Sequence, residues 1–295
     1  MSQYQQLLLL ARDADLTSPA AQRAKALANA TGAGLHVLGL FEPQGLGHWQ
    51  QEKETDRQIA EQFSRYRDRL LEQVGAIHLD NACATGQAAL SDGPVESVLG
   101  CLVEHRPDMV ITDIHKVSAM TRAFGVPFDK QLMRASQVPV HLVPDGPAPL
   151  PRVILAAVDT SVAGQGVDFN HRIIRAAMAM ALQCNAQLHL LCAYDISPLF
   201  VADSNAASDW VDELIAALRE PYDELADAYG VAAERRHFVQ GPAVAVITER
   251  VRDLAVDVVV MGIVQPKGLG KLLGDTTERI VNAALCSVLA VNREP

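Results

Sequence analysis

Short apolar runs rich in branched residues alternate along this chain with longer stretches in which apolar positions return every three or four residues. "LLLLARDAD" (7–15), "GLHVLGLFEP" (34–43), "DMVITD" (108–113) and "VPVHLVPD" (138–145) have the length and continuous apolarity of strands buried on both faces. The stretches between them read as helices. In "LTSPAAQRAKALANATG" Ser18 is the predicted N-cap, Pro19 the first helical residue and Gly32 the stop. "NHRIIRAAMAMALQCN" (170–185) predicts a helix with Ile173, Ile174, Ala177, Met178, Ala181 and Leu182 on one apolar stripe, its methionines in the core. Residues 51–75 place Ile59, Phe63, Tyr66, Leu70 and Val74 on one helical face, and 207–230 predict a second long helix that Pro221 should kink or break. Gly93-Pro94 and Gly241-Pro242 each stand between a strand and a helix, glycine for the turn and proline for the first helical turn. Strands alternating with helices in this way predict an α/β fold, a parallel sheet covered on both faces.

The pattern occurs twice in the same order. "LLLLARDAD" answers "VILAAVDTS" (153–161), "GLHVLGLFEP" answers "QLHLLCAYDI" (187–196), and "DGPVESVL" (92–99) answers "QGPAVAVI" (240–247). "DMVITD" then answers "DVVVMG" (257–262), and "VPVHLVPD" answers "CSVLAVNR" (286–293). A displacement of one domain's length marks a tandem duplication. The proline-rich stretch 144–151 is the predicted linker, giving domains at 1–146 and 152–295.

Composition narrows the classes of function. A formal charge of −10 without a block of Lys and Arg argues against direct nucleic-acid binding. No apolar run is long enough for a membrane span, and residues 1–15 lack the basic lead and cleavage site of a signal peptide, so a soluble cytoplasmic protein is expected. The five cysteines, Cys83, Cys101, Cys184, Cys192 and Cys286, are odd in number and far apart, which fits reduced core thiols. His36 and His189 recur inside equivalent strands, which suggests a shared packing or hydrogen-bond role. His115 and Lys116 follow the strand "DMVITD", as lone exposed groups with no clear catalytic company. No metal-ligand pair stands out among the nine histidines, and no metal site is expected.

The repeated order, the strand-final Asp13 and Asp159, the two Gly-Pro helix starts, "VVVMG" and the closing "LLGDTTERIVNAALCSVLAV" resemble the universal stress protein family in its two-domain form, over essentially the whole chain. The resemblance implies two Rossmann-like, five-stranded parallel-sheet domains of the adenine nucleotide alpha hydrolase-like type in tandem. Ligands would lie beyond the carboxyl ends of the strands. It also implies that the last strands of the two halves pair to form an intrachain pseudo-dimer, and leaves open a further homodimer or a protein partner.

Nucleotide-binding members look like Gly, two residues, Gly, nine residues, Gly, then Ser or Thr, with glycine letting backbone N–H groups approach phosphate. Here Gly262 fills the first position, Gln265 stands in place of the second glycine, and Gly274 precedes Asp275. Gly268 and Gly270 can re-form the loop, Lys267 and Lys271 can neutralise phosphate, and Thr276 can supply the hydroxyl. The resemblance further places Asp159 against an adenine ring. The competing architectural readings are a strand-end turn for Asp159 and, for Asp275 with Glu278 three residues on, an N-cap. The first half has only Gly125 after its strand and predicts no phosphate cradle.

No nucleophile elbow and no Walker loop occurs, so turnover is not supported by any motif. The expected protein takes part in stress response by binding a small ligand or partner, with ATP or another adenine nucleotide as candidate ligand in 152–295. The alternative is a nucleotide-dependent switch or weak ATPase.

Overall fold

The structure, a computed structural model, describes residues 4–43, 52–90, 93–114, 127–146, 148–161, 165–195, 207–263, 275–283 and 285–293; the side chains of 52–55, 165–166, 207–211 and 275 are outside that description. The chain forms two compact units, built on Gln3–Leu150 and on Pro151–Pro295.

In the N-terminal unit the order is β1 (Gln6–Ala11), α1 (Pro19–Thr31), β2 (Gly34–Phe41), α2 (Glu52–Gly75), β3 (Ala84–Leu90), α3 (Pro94–His105), β4 (Met109–Asp113), α4 (Phe128–Ala135) and β5 (Val140–Val143). The strands pair in parallel in the order β3-β2-β1-β4-β5. The C-terminal unit runs β6 (Val153–Val158), α5 (Gln165–Cys184), β7 (Gln187–Tyr194), α6 (Ala207–Ala228), β8 (Arg236–Gln240), α7 (Ala243–Asp253), β9 (Val258–Ile263), α8 (Asp275–Ala283) and β10 (Ser287–Asn292). Its strands repeat the arrangement as β8-β7-β6-β9-β10, again parallel. The chain order therefore reverses between β1 and β4 in one unit and between β6 and β9 in the other. The central strands are apolar because helices cover both faces: Leu7 to Leu10 and Val258 to Val260 are all buried. Burying each such side chain contributes roughly 1.5–3 kcal/mol.

One polar device is made twice. The Asp108 carboxylate accepts from the backbone N–H groups of Gln5 (2.6 Å) and Gln6 (2.9 Å), and the Asp257 carboxylate from those of Arg152 (2.7 Å) and Val153 (3.0 Å). Each ties the start of one central strand to the start of its neighbour, satisfying donors that the ladder leaves open.

The caps of α1 form as the sequence predicts. Ser18 Oγ accepts from Ala21 N–H at 3.2 Å, Pro19 opens the helix, and Gly32 takes the left-handed conformation with φ 70°. Other expectations need correction. Pro221 does not end α6, which runs unbroken from Ala207 to Ala228. Thr160 Oγ1 donates to the Leu218 carbonyl at 3.4 Å, in the turn that the proline disturbs. The buried stripe of α5 uses Phe169, Ile173, Ile174, Ala177, Met180 and Ala181, while Leu182 is 61% exposed. Pro94 is the first residue of α3, whereas Pro242 is the N-cap of α7 and follows Gly241 at φ 142°. Asp275 is itself the first helical residue of α8, one position later than an N-cap. The five cysteines are free thiols, with Cys101, Cys192 and Cys286 buried.

Candidate functional site

The crossover from β6 to β7 distinguishes the two units. α5 has 20 residues against 13 in α1. The buried sets Ala20, Ala21, Ala24, Leu27, Ala28 and Ile173, Ile174, Ala177, Met180, Ala181 have the same spacing, so the surplus lies at the amino end of α5. Those extra turns place Phe169 and Asn170 over the carboxyl end of the sheet.

Asn170, 5% exposed, grips the residue that leaves β6. Its Oδ1 accepts from Asp159 N–H at 3.2 Å, and its Nδ2 donates to the Asp159 carbonyl at 2.7 Å. The Asp159 carboxylate accepts from Ser161 N–H (3.0 Å) and Ser161 Oγ (2.5 Å), a local turn in which the acid ends the strand. Asp13 makes a similar turn with Asp15 N–H at 3.1 Å. The two acids are one position out of register, however: Asp13 lies five residues past Leu8, which pairs with His36, and Asp159 four past Leu155, which pairs with His189.

Gly262, next to last in β9, lies against Phe169. A Cβ there would fall inside van der Waals contact of the Phe169 ring and 3.0 Å from Ile173 Cδ1, so the packing requires glycine. The carbonyl of Gly262 accepts from Thr277 Oγ1 at 3.1 Å, and the Arg293 guanidinium lies 5.1 Å from the Phe169 ring centroid.

Beyond β6, β7 and β9 these groups enclose a cleft of about 660 Å³. Val158, Ile173, Leu191 and Met261 give it apolar surface, and Asp159, Tyr194, Thr276 and Arg293 bring polar groups. This volume suits one small ligand, and the reversal of strand order between β6 and β9 is where such folds bind one.

The structure thus brings three sequence-predicted residues, Asp159, Gly262 and Thr276, to one cleft. Gly268, Gly270, Lys271 and Gly274, with Gln265 and Lys267, lie outside the described residues, as do His115, Lys116 and Gly125. The side chain of Asp275 is outside them too. Phe169, Asn170, Tyr194 and Arg293 were not anticipated. The only sequence signal for the first two was "VDFNH" (167–171), which straddles the start of the stretch that reads as helix.

In the N-terminal unit the corresponding end of the sheet is closed differently. Asp113 holds the position of Gly262, each four residues past the residue, Met109 or Val258, that pairs with the central strand. Its Oδ1 accepts from Ala20 N–H at 2.8 Å, inside the first turn of α1. The chain's own carboxylate thereby takes up one of the donors that the start of α1 leaves open.

A second cluster lies in the same unit. His36 on β2 and Cys101 and His105 on α3 bring their ligand-type atoms within 4.8 Å of one another. This corrects the expectation that no metal-ligand pair occurs: Cys101 and His105 are four apart in "CLVEH" and share a helical face. Burial, reinforced by His105, lowers the His36 imidazole to about 4, and burial pushes the Cys101 thiol up to about 11.

A family model for the universal stress protein family matches residues 151–292. Universal stress protein A homolog 1 of Coxiella burnetii is 32% identical over 143 residues, 47% of this chain and 94% of that protein. The chain belongs to the universal stress protein family. Similar proteins also include the universal stress protein E homolog of Haemophilus influenzae, 27% identical over 190 residues, and universal stress protein E of Escherichia coli K12, 25% over 211. The matches span 62% and 65% of those relatives' length. A crystal structure of a functionally unknown protein from Pseudomonas aeruginosa PAO1 shares the fold with a TM-score of 0.73 at 21% identity, covering 99% of this chain and 93% of that one. A universal stress protein from Archaeoglobus fulgidus aligns with a TM-score of 0.65 at 15% identity, over 99% and 97%. Among the described residues of this universal stress protein, no helix is long and apolar enough to cross a membrane.

Proposed function

We propose that this universal stress protein acts in stress response by binding, with a small ligand carrying a planar ring, ATP or another adenine nucleotide being the reference, in the cleft of the C-terminal unit. The cleft beyond β6, β7 and β9 carries the reading. Its apolar surface from Val158, Leu191 and Met261 suits a ring, and Arg293 and Thr276 offer a cation and a hydroxyl for an anionic tail. Capping of α1 by Asp113 favours the C-terminal unit over the N-terminal one as the ligand-bearing half.

Thermal unfolding of the full chain with ATP tests this. Ligand at a hundredfold over Kd stabilises the binding unit by about 2.7 kcal/mol. No shift at millimolar ATP removes the nucleotide reading. Ala193→Trp, which fills the cleft, should abolish the shift, and a shift that survives it moves the ligand elsewhere. Gly262→Val is a poor probe, because its side chain strikes Phe169 whether or not a ligand binds.

A further inference from the structure

We infer that His36, Cys101 and His105 form a binding site for a thiophilic d10 cation, with Zn2+ as the reference ion, inside the N-terminal unit. Two imidazoles and one thiol are a donor set that Zn2+ accepts, leaving a fourth position for water. The three side chains come from two elements that face each other, His36 from β2 and the other two from successive turns of α3.

The hydrogen bonding around the cluster argues for more than packing. His36 is 7% exposed, and its Nδ1 lies 2.8 Å from Thr85 Oγ1, which orients the ring. Its Nε2 is buried without a partner, and so is Nε2 of His105. A buried imidazole and a neighbouring half-buried one that each leave a nitrogen without a hydrogen bond are costly as packing groups and ready as ligands. Cys101 is 2% exposed, so its thiol sits in the same interior as the His36 ring.

The rings of His36 and His105 are stacked, with centroids 3.8 Å apart and an angle of 23° between planes. Tetrahedral donors point at one ion from different directions, so the stack must open for both nitrogens to meet it. His105 is the group free to swing. It is the last residue of α3, its side chain is 31% exposed, and Glu104 Oε2 lies 3.9 Å from its Nε2 at the solvent side, where a cation would enter.

The C-terminal unit supplies an internal control. His189 recurs on β7, but Arg250 and Leu254 stand where Cys101 and His105 do when the two helices are aligned from their first residues, Pro94 and Ala243, and His189 Nδ1 instead lies 3.0 Å from His237 Nε2. The thiol-bearing set belongs to one unit.

The test is titration of the reduced, tag-free full chain with Co2+, followed by Zn2+ competition against a chromogenic chelator. One ion per chain with a thiolate-to-cobalt charge-transfer band is expected. Cys101→Ser should remove that band, and His105→Gln should weaken Zn2+ binding by at least about tenfold. His189→Ala and Cys83→Ser should leave both readouts unchanged, and far-UV circular dichroism establishes that each variant is folded. Absence of the band in the folded wild-type chain overturns the site. So does a band that survives Cys101→Ser or is lost in Cys83→Ser, and so does unaltered Zn2+ affinity in His105→Gln.

Discussion

The carboxylate of Asp113, at the end of β4, accepts a hydrogen bond of 2.8 Å from the backbone N–H of Ala20 in the first turn of α1. With Ser18 Oγ on Ala21 N–H, two of the donors that a helix start leaves open are met within the chain. Asp113→Ala should cost the N-terminal unit about 0.5–2 kcal/mol, the usual loss of a cap. Hydrogen exchange should accelerate at Ala20 while Ala21 keeps its protection from Ser18. Equal exchange at Ala20 in both proteins would show that the carboxylate contributes nothing.

Gly262, in the matching position of the other unit, is explained by the ring it touches. Gly262→Ala should destabilise the C-terminal unit by about 1–3 kcal/mol, the cost of overpacking, because Phe169 and Ile173 must move. Phe169→Leu makes room, so the double variant should lose less than the sum of the two single changes. Strict additivity in chemical denaturation would mean that the two residues do not share this space.

The duplication and the alternation of strand and helix were legible because both follow from apolar periodicity, which the sequence carries directly. The caps of α1 were legible for the same local reason. Asp108 and Asp257 could be seen to recur, but not to clamp Gln5 and Arg152, since that pairing spans about a hundred residues of chain and only the sheet brings the groups together. Asn170 and Phe169 escaped notice because the polar start of α5 breaks the apolar stripe that marks a helix. Gly262 was legible as a glycine, yet its reason lay in a partner on a different element. Cys101 and His105 were visible at helical spacing, but His36, which completes the cluster, comes from a strand far away in sequence.

His141 is buried on β5, with Arg23 Nη1 3.5 Å from its Nε2, and burial together with that positive neighbour holds its imidazole well below its ordinary 6.5. The folded chain keeps it neutral where the unfolded chain protonates it, so its contribution is full above about pH 6.5 and declines as pH falls below that value. Unfolding free energy of the N-terminal unit should drop by up to about 1.4 kcal/mol per pH unit per proton taken up. Across pH 5 to 6.5, on the order of His titration, His141→Leu should flatten the slope by one proton's worth. An identical slope in the variant would assign the acid sensitivity to other groups.

Asn170 links the added turns of α5 to the cleft. Its amide holds both the N–H and the carbonyl of Asp159, so Asn170→Ala strands two backbone groups where the chain leaves β6. A loss of about 1–3 kcal/mol in the C-terminal unit is expected from the unmet hydrogen bonding. The ATP-dependent thermal shift should shrink with it, because Asp159, which lines the cleft, loses the contact that fixes it. Ser161→Ala removes only an exposed hydroxyl from Asp159 and should change stability by less than about 0.5 kcal/mol. Were Ser161→Ala the more damaging of the two in parallel thermal melts, the wall of the cleft would be held by the turn after β6 and not by α5.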